Sequence, residues 1–101
     1  MNKIDIFNAR NCSKQIEDGM TLSVIDTGSF PDVDKDGHDV TVTVLKDVNG
    51  DIYCSISATI FKSLELLNEI IEENEGKPVE VTVLKSRSQN NREFYQLKIN
   101  Q

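Results

Sequence analysis

The chain has 101 residues, a formal net charge of −6 and only 6% aromatic residues. This length allows one domain with its own core and excludes a multidomain enzyme, while the acidic total counts against a nucleic-acid binder unless positive charge is concentrated locally. The sequence has no run of bilayer length, no signal peptide and no cysteine framework, so we expect a soluble cytoplasmic protein with thiols rather than disulfides and with no metal or cofactor.

The first eighteen residues form a predicted N-terminal arm, residues 1–18, ahead of a domain that fills residues 19–101. The arm holds an apolar cluster of Ile4, Ile6 and Phe7, followed by polar sequence with little periodicity. Water accommodates such a cluster poorly, so we expect the arm to fold back over the domain through these three side chains. The alternative is that the arm binds a partner.

The first predicted strand runs over residues 20–30, where Leu22 and Val24 share one face and Gly28 would permit the bend that a small barrel needs. An acidic loop, residues 31–39, follows. Its spacing matches the opening of a calcium loop, but Thr43 stands where a closing Glu is required, so the loop is predicted to be a polar turn without a calcium site.

The central hairpin covers residues 39–57, with an Asn-Gly turn signal at 49–50 between two alternating runs. A two-residue loop would pair Val44 with Ser55 and mix valines with serines on each face. A three-residue loop that ends on a left-handed glycine instead pairs Val44 with Cys54 and leaves both faces uniform. We therefore predict the three-residue loop.

This register divides the central hairpin into two faces. The inner face, predicted to meet the core, holds Val40, Val42, Val44, Ile52, Cys54 and Ile56. The outer face holds Thr41, Thr43, Leu45, Tyr53, Ser55 and Ser57. Outward-facing Leu45 and Tyr53 form a candidate binding surface, and the alternative is a solvated face with one stray aromatic residue.

A single helix is predicted after the central hairpin. Its apolar stripe consists of Ile60, Leu64, Leu67 and Ile71, and Gly76 and Pro78 end it. Leu66 and Ile70 form a shoulder beside the stripe, covered either by the N-terminal arm or by a second copy of the chain.

The last hairpin carries the local positive charge. Its strands alternate apolar residues around a polar turn that is flanked by Lys85, Arg87 and Arg92. Residues 77–101 contain five basic and two acidic side chains, a net +3, whereas residues 1–76 contain six basic and fifteen acidic side chains, a net −9. The molecule is therefore expected to be electrically two-sided.

Three strands, one helix and two further strands indicate a mainly β fold that resembles the OB-fold, a five-stranded barrel with one α-helix between strands 3 and 4. The competing SH3-like barrel accommodates such a helix badly. Within OB-folds the chain resembles the small single-stranded DNA-binding proteins of bacteriophages of Gram-positive bacteria, which have similar length and a short arm with Ile or Leu next to Phe, here Asp5, Ile6 and Phe7.

The resemblance implies a protein that coats single-stranded DNA during phage DNA replication or recombination in the cytoplasm of the bacterial host. An enzyme is not expected, because the sequence has one loop histidine and no glycine-rich phosphate loop. Further expected partners are replication or recombination proteins and, through the apolar shoulder of the helix, a second copy of the chain. The implied DNA contacts are Leu45, Tyr53, Lys85, Arg87, Arg92 and Phe94. The alternative function is a small acidic interaction or inhibitor protein that binds a basic host protein through residues 32–39 and 65–75.

Overall fold

The computed structural model describes residues 1–12 and 14–100, without the side chain of Cys12. This part of the chain contains two helices and six strands. The thiol expected at Cys12 therefore lies outside the described residues. The helices are α1 (Lys3–Cys12) and α2 (Ala58–Glu73). The strands are β1 (Lys14–Gln15), β2 (Thr21–Val33), β3 (Asp39–Asp47), β4 (Ile52–Ser55), β5 (Val79–Arg87) and β6 (Glu93–Ile99).

The strands form one curled sheet in the order β1-β4-β3-β2-β5-β6. The mainly β fold is as predicted. The strands β2 to β6 are as predicted too, with α2 between the third and the fourth of them. The helix α1 and the two-residue strand β1 were not predicted. β1 pairs in parallel with β4 at the edge that a closed barrel would offer to β6. The sheet is therefore a half-barrel, and no strand pairing joins its two edges among the described residues.

The central hairpin has the predicted register. Val44 lies opposite Cys54, and the loop closes through hydrogen bonds from the Asp47 amide to the Asp51 carbonyl and from the Gly50 amide to the Asp47 carbonyl, both 2.9 Å. Gly50 has a φ of 87°, a conformation that costs a glycine little. The three-residue loop is thus confirmed.

The predicted exposure of the outer hairpin face is wrong, whereas Val42, Val44 and Cys54 of the inner face are buried as predicted. Leu45, expected to face outward, is 1% exposed and belongs to the main core, in which α2 packs against one side of the sheet. The main core consists of Ile16, Leu22, Val24, Leu45, Ile60, Leu64, Leu67, Val79, Val81 and Val83. Alternation reveals which residues share a face but not which face meets the larger core when both carry apolar side chains.

A second, smaller core lies on the opposite side of the sheet, under α1. It consists of Ala9, Phe30, Val42, Val44 and Cys54, with Met1, Ile6 and Ile52 at its border. The central hairpin is thus covered on both sides. Ile56, predicted to belong to the inner face, lies beyond the end of β4 and is exposed.

The N-terminal segment folds back as predicted, but as a helix and through different contacts. The Asn2 side chain accepts a 2.8 Å hydrogen bond from the Asp5 amide and so caps the start of α1. Asp5 pairs with Lys46 at 3.1 Å, which fixes the helix on the sheet. Ile6 packs against the smaller core, whereas Ile4 and Phe7 remain exposed.

Gly28 serves a different purpose from the predicted bend. The irregularity in β2 falls between Val24 and Asp26. A Cβ atom at Gly28 would lie 3.0 Å from the Sδ atom of Met1. Gly28 therefore makes room for the chain that enters α1.

The acidic segment forms a polar turn as predicted, but a shorter one, because residues 31–33 continue β2 and Asp39 begins β3. One carboxylate oxygen of Asp34 accepts hydrogen bonds from the amides of Asp36 and His38, each 2.9 Å long, and Gly37 has a φ of 81°. The Asp34 side chain therefore shapes the turn.

The helix stripe is confirmed, since Ile60, Leu64 and Leu67 are buried. Leu66 and Ile70 line a shallow groove of about 230 Å³ together with residues of β5 and β6. α1 packs on β4 and β2 instead, so the expectation that the arm covers this shoulder is wrong.

Candidate nucleic-acid interface

A cleft, here called the seam, separates the two edges of the half-barrel. Its volume is about 480 Å³, and it is lined by Gln15, Ile16, Ser55, Ile56, Ser57, Ala58 and Thr59 on one side and by Glu93, Phe94 and Tyr95 on the other. The Ser57 hydroxyl donates a 3.3 Å hydrogen bond to the Tyr95 carbonyl across it. In the seam, the aromatic residues Phe94 and Tyr95 of β6 therefore lie beside polar side chains.

Near each edge of the half-barrel lies a tyrosine with a lysine over its ring. The Nζ atom of Lys14 lies 5.9 Å from the ring centroid of Tyr53, and the Nζ atom of Lys85 lies 5.9 Å from that of Tyr95. Both rings pack partly against the main core, which restricts their rotation, and both remain partly accessible. A partly exposed ring that is held in place can stack on a base at low entropic cost.

Both lysines also face a carboxylate. Lys14 lies 3.4 Å from Asp51, and Lys85 lies 2.8 Å from Glu93. Glu93 also approaches Arg87, at 3.5 Å. Its hydrogen bond to Lys85, and then the positive charge itself, hold the pKa of Glu93 below its ordinary value, while the same bond raises the pKa of Lys85. At neutral pH both groups are charged.

The last hairpin brings four of the six predicted contacts together. Lys85, Arg87 and Arg92 surround its turn, and Phe94 lines the seam. Arg92 is exposed and forms no ion pair with any residue that the structure describes. This turn has the same shape as the turn of the central hairpin. Asn91 has a φ of 60°, as Gly50 has a positive φ there, and the Ser88 amide donates to the Arg92 carbonyl at 2.9 Å.

The other two predicted contacts lie elsewhere. Tyr53 stands on the opposite edge of the sheet, half-buried rather than fully outward. Leu45 is a core residue, and a side chain that is 1% exposed has almost no surface to offer a base. The prediction that Leu45 is exposed for binding is therefore wrong.

Sequence reasoning missed Lys14 and Tyr95 as candidate contacts. Tyr95 alternates with Leu97 and Ile99 and therefore has the pattern of a core residue. A three-residue turn that ends on Asn91 places Tyr95 opposite Lys85, a register that the asparagine-rich turn could have indicated. Lys14 reaches Tyr53 only through the parallel pairing of β1 with β4, for which the sequence holds no local signal.

A curled sheet with an open seam, half-exposed tyrosines and a basic hairpin has the features of a small β protein that binds single-stranded nucleic acid. Comparison with protein families places the chain more narrowly. Residues 1–100 match the family described as phage single-stranded DNA-binding protein, of the phi29 type, and the chain belongs to this family. The predicted resemblance to phage single-stranded DNA-binding proteins is thereby confirmed.

Comparisons with curated proteins and with solved structures found no match. In the described part of the chain, neither helix has the length and apolar character needed to cross a bilayer.

Proposed function

We propose that this protein binds single-stranded DNA without sequence preference along the seam and the last hairpin, during phage DNA replication or recombination in the host cytoplasm. Membership of the phage single-stranded DNA-binding family supports the choice of ligand. We also assign the half-barrel to the OB-fold type. Five strands joined in the order β4-β3-β2-β5-β6, with α2 between β4 and β5 in the chain, support this assignment, since the OB-fold is a five-stranded, partly open Greek-key barrel.

The charge of the last hairpin is the observation that carries the proposal. In a chain with a net charge of −6, Lys85, Arg87 and Arg92 gather at one turn, next to the aromatic residues Phe94 and Tyr95. Cations neutralise phosphates and release counterions, while rings stack on bases of any identity. Cations and rings together therefore recognise the phosphates and the bases that every single strand contains.

The strand class follows from the same chemistry. Stacking on a protein ring requires a base whose face is free, and in a duplex that face is covered by neighbouring base pairs. We therefore assign Tyr53, Tyr95 and Phe94 to bases, and Lys85, Arg87 and Arg92 to phosphates.

Fluorescence anisotropy with a labelled oligo-dT strand, measured over a series of salt concentrations, tests the proposal. We expect saturable binding that weakens as salt increases, and much weaker binding to a duplex of equal length. Binding that fails to saturate at low salt would contradict the proposed function.

The alternative, an acidic protein that binds a basic partner, draws on the exposed face of α2. Glu65, Glu69 and Glu72 project there, and Leu66 is exposed beside the groove. This function predicts no saturable oligo-dT binding, so the same titration separates the two.

A further inference from the structure

Glu93 stands at the centre of the positive charge on the last hairpin. It lies opposite Arg87 in the β5–β6 register, at the base of the turn. Its Oε2 atom is 2.8 Å from Lys85 Nζ, and its Oε1 atom is 3.5 Å from Arg87 Nη2. One carboxylate thus engages two of the three cations that flank the turn.

The contact has the geometry that a DNA phosphate would need. Carboxylate and phosphate oxygens accept the same charge-assisted hydrogen bonds from lysine and arginine. A phosphate that binds both Lys85 and Arg87 would place its oxygens where the two oxygens of Glu93 now lie. The carboxylate and the phosphate therefore compete for the same donors.

The pair is also able to open. The side chains of Lys85 and Glu93 are 38% and 47% exposed, and an exposed ion pair contributes little to stability. The backbone of Lys85 is held independently of the Glu93 carboxylate contacts, because its amide donates a 3.0 Å hydrogen bond to the Asp18 carboxylate and β5 pairs with β6 through the main chain. Displacement of Glu93 thus does not require the hairpin to unfold.

We propose that Glu93 is a built-in competitor of the DNA phosphate on the last hairpin, an affinity-determining residue that lowers binding strength. The inference rests on the proposed function, because it concerns the same cations. Glu93 keeps Lys85 and Arg87 neutralised and oriented in the free protein. When DNA binds, a phosphate replaces this carboxylate. The free energy of the phosphate contacts is then reduced by the free energy of the Glu93 ion pairs that are lost, and the affinity is lower.

The experiment must separate this local exchange from a general change in charge, since any loss of negative charge favours DNA binding. Glu93→Gln and Glu69→Gln each change the net charge from −6 to −5. Glu69 lies on α2, is exposed and forms no ion pair with the described residues, so Glu69→Gln is the matched control. Circular dichroism melts verify that both variants fold.

Oligo-dT anisotropy over a salt series should show Glu93→Gln binding about two- to tenfold more tightly than the parent at low salt, as expected for release of two exposed ion pairs. Its salt dependence should be steeper, by at most about 0.7 in logarithmic slope for each cation that gains a phosphate. Glu69→Gln should change affinity less than about twofold, since it lies outside the contact.

Equal affinity of the two variants would overturn the inference and leave the proposed function intact. Weaker binding by Glu93→Gln would overturn it as well, because Glu93 would then position the cations for DNA. If the parent does not bind oligo-dT, the proposed function is wrong. If neither the parent nor Glu93→Gln binds, the proposed function and the inference about Glu93 are both wrong.

Discussion

The Nζ atom of Lys85 lies 2.8 Å from a carboxylate oxygen of Glu93 and 5.9 Å from the ring centroid of Tyr95. One ammonium group therefore joins the ion pair of the last hairpin to an aromatic ring at the seam. A strand that placed a phosphate on Lys85 would bring the adjoining base to Tyr95. The first two predictions test the same division of roles, phosphates for cations and bases for rings, at Arg92 and Tyr53.

Arg92→Gln should weaken oligo-dT binding and reduce the logarithmic salt slope by about 0.7, because Arg92 has no ion pair in the described part of the chain and can give a full phosphate contact. Lys98→Gln removes the same charge from the exposed side of β6, away from the turn, and should have little effect. Anisotropy over a salt series measures both. Equal losses would show that the contact is not specific to the turn.

Tyr53→Leu should cost about 1–3 kcal/mol of affinity and leave the salt slope unchanged, because it removes a stacking surface but no charge. Leucine keeps apolar contact with the main core, against which Tyr53 packs. Tyr53→Phe retains the ring and should bind like the parent. If Tyr53→Leu folds normally and binds as tightly as Tyr53→Phe, then Tyr53 does not stack on DNA.

Leu67→Ala should lower the free energy of unfolding by about 2–5 kcal/mol, because Leu67 is buried in the main core. Its neighbour Leu66 is 62% exposed, so Leu66→Ala should change stability by less than about 0.5 kcal/mol. Leu45→Ala should resemble Leu67→Ala. Urea unfolding ranks the three variants, and a silent Leu45→Ala would contradict the observed direction of the hairpin.

Thr43→Val should raise the free energy of unfolding by about 1 kcal/mol, because the Thr43 hydroxyl is buried without a hydrogen-bond partner among the described residues. Valine has nearly the same shape and no polar atom to desolvate. Thr43→Ser keeps the hydroxyl, loses the methyl group and should be destabilised. A destabilised Thr43→Val would indicate that the hydroxyl has a partner, such as a bound water.

The Glu93 ion pair should make a small, pH-dependent contribution to stability. Its hydrogen bond to Lys85 lowers the folded-state pKa of Glu93 below 4.5. The stabilisation is therefore present above the unfolded-state pKa and is lost as the pH falls through the folded-state pKa. Glu93→Gln should melt slightly below the parent at about pH 7 and together with it at about pH 2. A difference that persists in acid would contradict an ionic origin.

Local sequence signals determined the strands β2 to β6, the helix α2 and the turns. Alternation in β2, β3, β5 and β6 depends only on the two-residue period of a strand, and the stripe of α2 depends only on the helical period. The register of the central hairpin followed from alternation, because a three-residue loop that ends on Gly50 leaves both faces uniform, whereas a two-residue loop mixes valines with serines. The basic character of the last hairpin was likewise evident from Lys85, Arg87 and Arg92.

The tertiary structure alone decided which side of the central hairpin forms the main core. Leu45 is buried because α2, which follows β4, packs on its side of the sheet, while α1 covers the valines. The existence of α1 depends on the same packing. A helix of ten residues is marginal by itself, and Ile6 and Ala9 stabilise this one by burying its inner side against the sheet.

The seam is also a product of tertiary structure. Lys14 and Gln15 occupy the edge of β4, so β6 has no strand to pair with across the cleft, and Tyr95 stays partly accessible beside Lys85. Strand pairing between residues far apart in the chain depends on which edge meets which after the sheet has curled. The side-chain pattern of one strand does not contain that information, and for this reason the sequence predicted the cations and Phe94 but neither Lys14 nor the open edge beside Tyr95.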